Sequence, residues 1–510
     1  MPQMSVNRLL LLTCGFIVFF DNFVFWGKVF QRIDFFKTAG FGFFLSFSAL
    51  FFALLYLMLL LFSHKYTLKV FLSIVLIVSA IIGYFSELGV VFDQFMLTNI
   101  VDNIKEQNTQ ETLELLSIPL MIHMGIFAFI PVALLWLVKI KRQTFLIESR
   151  NRILTTVVVM VICTIMIWSN MKYLTYFGRE NRDLRYFINP LFVVNSGVKY
   201  IKENYFPDKK EKFKMIGNDA VINEAKKQKT VGIFIVGETA RADHFSLNGY
   251  KKLTNPKLVK QNIMNFSNVA SCGTSTAYSV PCMFSLLGKN DYSPQKADNQ
   301  SNVLDILQTA GVKVFWLDNN SSCKGVCTRI ENKNILSQGK FDISMLDGLK
   351  SYIDKQESDV LVVLHSLGSH GPRYYKRYPK AFEVFTPVCK NTPEKCTNEE
   401  VNNAYDNSIL YTDYLIDSTI QLMKKNYLNS FVFYTSDHGE SLGEKSVYLH
   451  GLPYIIAPKE QTHVPMLAWF SDEKSGDINQ SLSHDNISHS LLGLFKVKTK
   501  VYDKALDVFH

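Results

Sequence analysis

Three residues beyond position 200 carry donor types that suit a metal: Glu238, Asp437 and His438. Two carboxylates and an imidazole fit Zn²⁺, and three protein ligands leave a position open for a reacting group. Singly, each has a plainer reading. A Glu at a helix start is a cap, and an Asp-His pair is common in surface loops. The run Ser271-Cys-Gly-Thr-Ser-Thr-Ala-Tyr-Ser-Val-Pro-Cys282 is a second feature, leading into the apolar stretch Met283–Leu287. It reads as a loop entering a helix, whose free N–H groups and positive dipole favour phosphate. A Thr there with its oxygen on zinc would be a nucleophile; without the metal ligands the same residues are an ordinary N-cap. His370 lies in the turn-rich segment Gly368-Ser-His-Gly-Pro372, followed by Arg373, Lys376 and Arg377, and His450-Gly451 comes shortly after His438. Beside a metal-phosphate site such imidazoles hold phosphate oxygens or protonate a leaving group. Elsewhere a loop histidine is a surface residue, and His463, His484 and His489 read as structural or exposed.

These residues need a scaffold, and the flanking sequence supplies one. Val231–Val236, Val312–Leu317, Val360–Leu364, Phe431–Tyr434 and Pro465–Phe470 are short apolar runs bounded by polar turns, which reads as buried strands. Helical stretches such as Ser301–Ala310 and Glu399–Lys425 lie between them. The alternation predicts an α/β domain with a mostly parallel central sheet. Ligands of such sheets sit beyond the carboxyl ends of the strands. Glu238-Thr239 follows the first predicted strand, His365 and His370 the third, and Asp437-His438 the fourth.

The front of the chain is different. The sequence is 48% hydrophobic with a charged fraction of 19%, which excludes a disordered or solvating chain. Leu9–Phe25, Phe41–Phe62, Leu68–Phe85, Ile118–Val138 and Ile153–Trp168 are each about the length of a bilayer-spanning helix. The first lacks a small-residue cleavage site and reads as an uncleaved anchor. Arg8, Lys65, Lys69, Lys139, Lys141, Arg142, Arg150 and Arg152 fall on one side of these spans. Only Lys28, Arg32, Lys37 and Lys105 fall on the other. The positive-inside rule puts the first set in the cytoplasm and everything after Trp168 outside. Asp21-Asn22 and His123 are polar groups at or near membrane depth, functional or interfacial. The expected organisation is a five-helix transmembrane domain over 1–170, a bridge over 171–214 and a catalytic domain over 215–510. The net charge of +9 does not by itself select nucleic acid, anionic lipid or phosphate as partner.

Of eight cysteines, Cys14 and Cys163 lie in predicted spans. The others form three close pairs in the outer domain: Cys272/Cys282, Cys323/Cys327 and Cys389/Cys396. An even number outside the cytosol reads as disulfides and an oxidising compartment such as the periplasm. The competing reading is a zinc thiolate site at Cys323 and Cys327.

Four ordered motifs then carry a resemblance. Val236-Gly-Glu-Thr-Ala-Arg-Ala-Asp-His244, Cys272-Gly-Thr-Ser-Thr-Ala277, Gly368-Ser-His-Gly-Pro372 and Ser436-Asp-His-Gly-Glu440 closely resemble the lipid A phosphoethanolamine transferases. That family includes the mobile colistin-resistance enzymes and belongs to the alkaline phosphatase/sulfatase-like superfamily. The resemblance covers nearly the whole chain. It implies a bacterial inner-membrane enzyme with a periplasmic catalytic domain. Zinc would be held by Glu238, Asp437, His438 and the nucleophile Thr276. Phosphatidylethanolamine would be the donor, and lipid A or another surface group the acceptor. A phosphoethanolamine-Thr276 intermediate is implied, with His370 and His450 on the phosphoryl group and His365 near a second metal. The three cysteine pairs match family disulfides. Donor contacts would come from Asn99, from Asn103 where the family has Thr, and from Glu111, with Lys296 as a phosphate-binding cation. His244 replaces a more usual Asn. Membrane lipid is an implied partner, nucleic acid is not, and the chain is expected to be a monomer. Rival readings are a lipid phosphoglycerol transferase, a phosphodiesterase or sulfatase of the same superfamily, and a non-catalytic membrane sensor. The sulfatase signature Cys-x-Pro-x-Arg is missing.

Overall fold

The computed structural model describes residues 3–61, 67–93, 96–97, 100, 117–141, 144–206, 212–222, 228–391, 393–472 and 477–509. Contacts divide the chain into two compact units, Met1–Lys210 and Glu211–His510.

In the first unit, α1 (Val6–Phe19) and α2 (Phe23–Phe30) form a pair bent by 51°. They are followed by α3 (Thr38–Leu61), α4 (Leu68–Glu87), α5 (Ile118–Leu137) and α6 (Phe145–Ser169). The last four are each long and apolar enough to cross a membrane, and the bent pair makes a fifth if it counts as one span. The predicted first span, Leu9–Phe25, is therefore broken, at Asp21-Asn22. A break frees backbone groups that apolar surroundings cannot satisfy, and Asn22 takes over part of that role. Its amide donates to the Ile17 and Asn189 carbonyls, both at 2.8 Å, and its oxygen accepts from the Asn189 N–H at 2.8 Å. Beyond α6, α7 (Met171–Glu180) and α8 (Leu191–Tyr205) complete this unit.

The second unit is built on an eight-stranded sheet. Its strands are β1 (Val231–Gly237), β2 (Met264–Ala270), β3 (Lys313–Asp318), β4 (Glu331–Asn334), β5 (Val360–His365), β6 (Ser430–Ser436), β7 (His463–Phe470) and β8 (Leu482–Ser483), in the order β8-β2-β7-β6-β1-β5-β3-β4. Only β7 runs against its neighbours. The five predicted strands are present, with every end within two residues of its predicted place. Three strands escaped prediction. In β2 only Phe266 and Val269 are buried, and β4 is a wholly exposed Glu-Asn-Lys-Asn edge. Neither shows the apolar run that marks a covered strand, and β8 is only two residues long.

β1 lies at the centre, between β6 and β5, and all seven of its residues are buried. Side chains alternate between faces along a strand. Phe234 and Val236 pack into one core with Phe284, Trp316 and Phe433. Ile233 and Ile235 pack into the other with Tyr405, Ile409 and Tyr434. Two helices close the faces near the site. α9 (Thr276–Met283) follows the hydroxyl-rich loop, and α11 (Asn398–Asn426), which comes after α10 (Val303–Thr309), starts at a capping box between Thr397 and Glu400. The three expected cysteine pairs are disulfides: Cys272–Cys282, Cys323–Cys327 and Cys389–Cys396. The thiolate reading of Cys323 and Cys327 is thereby replaced.

Candidate active site and metal centre

Parallel strands end together, so the turns after β1, β5 and β6 converge. Glu238 leaves β1, the segment holding His370 leaves β5, and Asp437-His438 leaves β6. The N-terminus of α9 brings Thr276 to the same place. Its hydroxyl donates toward the Glu238 carboxylate, 3.2 and 3.0 Å from Oε1 and Oε2, and lies 3.4 Å from His438 Nε2. His438 Nε2 is in turn 3.5 Å from Glu238 Oε1 and 3.3 Å from Asp437 Oδ2. Glu238, Asp437 and His438 are fully buried.

Three observations suit this cluster to a cation. Asp437 uses Oδ1 to accept from the Thr239 and His438 N–H groups at 3.0 and 2.7 Å, while Oδ2 is buried with no hydrogen-bond donor among the described residues. His438 Nδ1 lies 2.9 Å from the Gly439 carbonyl. The N–H must therefore sit there, and the Nε2 lone pair faces the carboxylates. Burial works against charge on either carboxyl. On Asp437 the Glu238 charge adds to it and holds that carboxyl well above the usual range. On Glu238 the burial is outweighed by the imidazoles of His370, His438 and His450, which keep it below that range. Two such carboxylates ionise together only with positive charge between them. Among the described residues these three form the only group of candidate ligands whose donor atoms lie within 4.8 Å of one another.

The surrounding segments are held by polar anchors. Gly368 has φ +48°, and a Cβ there would come within 2.7 Å of the Glu238 carbonyl, so only glycine fits this crossing. The buried Asp342 carboxylate accepts the Leu367 and Gly368 N–H groups, both at 2.9 Å. This brings His370 to 5.8 Å from His450, ring to ring, and His450 to 4.4 Å from His438. His450 Nδ1 is 2.6 Å from Glu440 Oε2, and Tyr374 donates its hydroxyl to Glu440 Oε1 at 2.5 Å. Tyr405 of α11 fixes the turn after Glu238, accepting from the Arg241 N–H at 2.9 Å and donating to the Thr239 carbonyl at 2.8 Å.

Other predicted residues fall elsewhere. Lys296 is exposed and donates to the Asp291 carbonyl at 3.0 Å; no hydrogen bond joins it to the Thr276 cluster among the described residues. His365 is fully buried, with Nδ1 3.3 Å from Asp318 Oδ2 and, among the described residues, no partner on Nε2, and it is not in the three-donor group. Asn99, Asn103 and Glu111 lie outside the described residues. Sequence reasoning gave no role to Asn320 or to Ser279 in particular, and read His484 only as structural or exposed. Asn320 Nδ2 donates to Glu238 Oε2 at 2.8 Å. His484 accepts from the Cys272 N–H at Nδ1, 3.1 Å, and faces the Ser436 carbonyl with Nε2 at 3.0 Å. Ser279 of α9 donates to the Asp437 carbonyl at 2.5 Å. Asn320 had a signal, since it follows a strand's carboxyl end; His484 had none.

Comparison with known proteins bears on this arrangement. The family model described as Phosphoethanolamine transferase EptA/EptB matches residues 51–205, and the Sulfatase model matches 230–497. The phosphoethanolamine transferase EptA of Escherichia coli (strain K12) is 35% identical over 99% of this chain and 97% of its own length. The chain belongs to the phosphoethanolamine transferase family. Another relative, the phosphatidylethanolamine transferase Mcr-1 of Escherichia coli, is 36% identical over 95% of this chain and 94% of its own. Among solved members of the family, the integral membrane lipooligosaccharide phosphoethanolamine transferase A from Neisseria meningitidis covers 100% of this chain and 99% of its own, with 31% identity and a TM-score of 0.63. The resemblance read from the four motifs is thus supported over both units.

Proposed function

We propose that this chain transfers phosphoethanolamine from phosphatidylethanolamine to lipid A or another surface acceptor, through a covalent ester on Thr276. One observation carries the reading: the Thr276 hydroxyl shares the pocket of Glu238, Asp437 and His438, within 3.4 Å of a ligand atom of two of them. The donors fit zinc, which when bound supplies the charge that acidifies a neighbouring hydroxyl and offsets the phosphoryl oxygens.

The chain's own groups do the rest. Thr276 sits at the start of α9, where backbone N–H groups and the helix dipole face an anion. In the first half-reaction its oxygen forms a bond to phosphorus and the bond from phosphorus to the diacylglycerol oxygen breaks. Glu238 lies where it can accept the hydroxyl proton. His450, braced by Glu440, is the group placed to return a proton to the departing diacylglycerol oxygen. In the second half an acceptor oxygen attacks the same phosphorus and the Thr276 oxygen leaves. Loop charge, the disulfides and the family support an inner-membrane anchor with this unit in the periplasm.

The test is the mass of the Thr276 peptide after incubating zinc-loaded protein with phosphatidylethanolamine. A phosphoethanolamine adduct is expected in the wild type and not in Thr276→Ala. An unmodified peptide with no diacylglycerol released would refute the proposal, and a glycerophosphate adduct from phosphatidylglycerol would favour the phosphoglycerol transferase.

A further inference from the structure

The bend between α1 and α2 sets a carboxyl group inside the helical unit. Asp21 stands two residues past the end of α1. Neither of its side-chain oxygens has a hydrogen-bond partner among the described residues. Two other oxygens share that condition, Ser79 Oγ in α4 and Asn189 Oδ1 before α8. The three residues are 2%, 0% and 3% exposed, so water does not serve them from outside. They also meet. The Asn189 amide nitrogen lies 3.3 Å from the Asp21 carbonyl and 2.6 Å from that of Ser79, and the Ser79 hydroxyl neighbours the Asp21 carboxyl. With Asp21 ionised, four orphan acceptor oxygens gather at one junction and share a single proton, that of Ser79.

The surroundings supply no positive charge. α1 ends here, and the last turn of a helix carries unpaired carbonyls and the negative end of its dipole. Two carbonyls of that turn are already served, Ile17 by the Asn22 amide and Val18 by the Trp26 indole N–H at 2.7 Å. Gly83 lets α4 approach the bend, since a Cβ there would come within 3.1 Å of the Asp21 carbonyl. The imidazole on the same side, His123, donates from Nε2 to the Ala80 carbonyl at 3.1 Å and not to Asp21. A carboxylate in apolar surroundings is costly unless a cation neutralises it. At the breaks of membrane helices, oxygen-bound alkali cations meet that need.

We propose that Asp21, Ser79 and Asn189 bind one sodium ion at this bend. Asp21 supplies the charge, and Ser79 Oγ and Asn189 Oδ1 supply neutral oxygen ligands. One carboxylate matches one positive charge, whereas a divalent ion would carry an uncompensated charge into the unit. Bound there, the ion ties the bend to α4 and to the segment that leads into α8. The site shares no residue with the Thr276 cluster and does not rest on the transfer reading.

Radioactive sodium and thermal melting test it on the full-length, zinc-loaded protein in detergent. N-methylglucamine replaces sodium at constant pH and ionic strength. Equilibrium dialysis should find one sodium per chain. Saturating sodium should raise the melting midpoint of the helical unit by about 3 °C or more, because the ion binds the folded state. Asp21→Asn should lose the bound ion and flatten the sodium dependence of the midpoint. Ser79→Ala should weaken binding at least fivefold, and it carries the test if Asp21→Asn misfolds. Thr276→Ala should keep the sodium, so failure here and failure of the transfer reading are separable. A wild-type midpoint indifferent to sodium would overturn the site and leave Asp21 neutralised by a proton. Equal sodium retention by wild type, Asp21→Asn and Ser79→Ala would overturn it as well.

Discussion

At the scale of single residues, the candidate metal ligands depend on neighbours that touch them. Asn320 donates to the Glu238 oxygen at 2.8 Å and so fixes how that carboxylate turns. Loss of such a partner costs metal affinity roughly 10–100-fold. Asn320→Ala should weaken zinc by that factor, read by competition with a chelator, while the fold is kept. His484 makes a different prediction. Burial lowers its pKa from the ordinary 6.5 to about 3, because its ring is enclosed by Ser436 and Cys272. The unfolded chain takes up this proton below about 6.5 and the folded chain does not until about 3. Stability therefore falls as pH drops through that window. Denaturant midpoints of wild type and His484→Asn should converge on going from pH 7 to pH 4; parallel curves would contradict the assignment. Glu238, Asp437 and His438 were legible because motif and strand end coincide, and Thr276 because motif and helix start coincide. His484 was not, since a buried histidine serving two backbone groups leaves no pattern in the chain.

At the scale of elements, legibility followed burial. β1, β5 and β6 are buried throughout because helices cover both faces, and all three stood out by their runs of Val, Ile, Leu and Phe. β4 is exposed at the sheet edge, and its Glu-Asn-Lys-Asn sequence carries no apolar run to mark it. The first span read as one helix because its residues are apolar on both sides of Asn22; the bend depends on an amide contact 167 residues away in sequence, which no local pattern reveals. β1 is the element on which the site most depends. Phe234 is fully buried against Phe284 and Phe433, and Phe234→Ala should cost about 3–5 kcal/mol, measured by urea unfolding. The Cys272–Cys282 staple encloses Thr276, the proposed nucleophile, and the start of α9. Replacing both cysteines by Ser should lower adduct formation at Thr276 more than it lowers zinc binding, since none of the three ligands lies within that loop.

At the scale of the molecule, each unit carries its own core. The two sheet cores draw only on residues after 211, and the helical core only on residues before 210. Residues 211–510 produced alone should unfold in a single cooperative transition and bind zinc as the full chain does. Calorimetry with and without metal checks this, and a non-cooperative melt would show that the catalytic unit needs its anchor. Turnover of phosphatidylethanolamine in vesicles should fall at least tenfold in this fragment, because its substrate stays in a bilayer it no longer enters.

The bridge between Asn22 and Asn189 also has a meaning in time. A ribosome extends the chain from its amino end, so the first membrane helix emerges long before the residue that accepts and supplies the hydrogen bonds at its bend. At ordinary synthesis rates, 167 residues take roughly 10–30 s. For that interval Asn22 has only its local bond to the Ile17 carbonyl, and the two bonds to Asn189 are still to be made. Asn22 thus acts as a late latch: insertion of the helices can proceed one by one, but the arrangement becomes final only when the stretch leading to the catalytic unit has arrived.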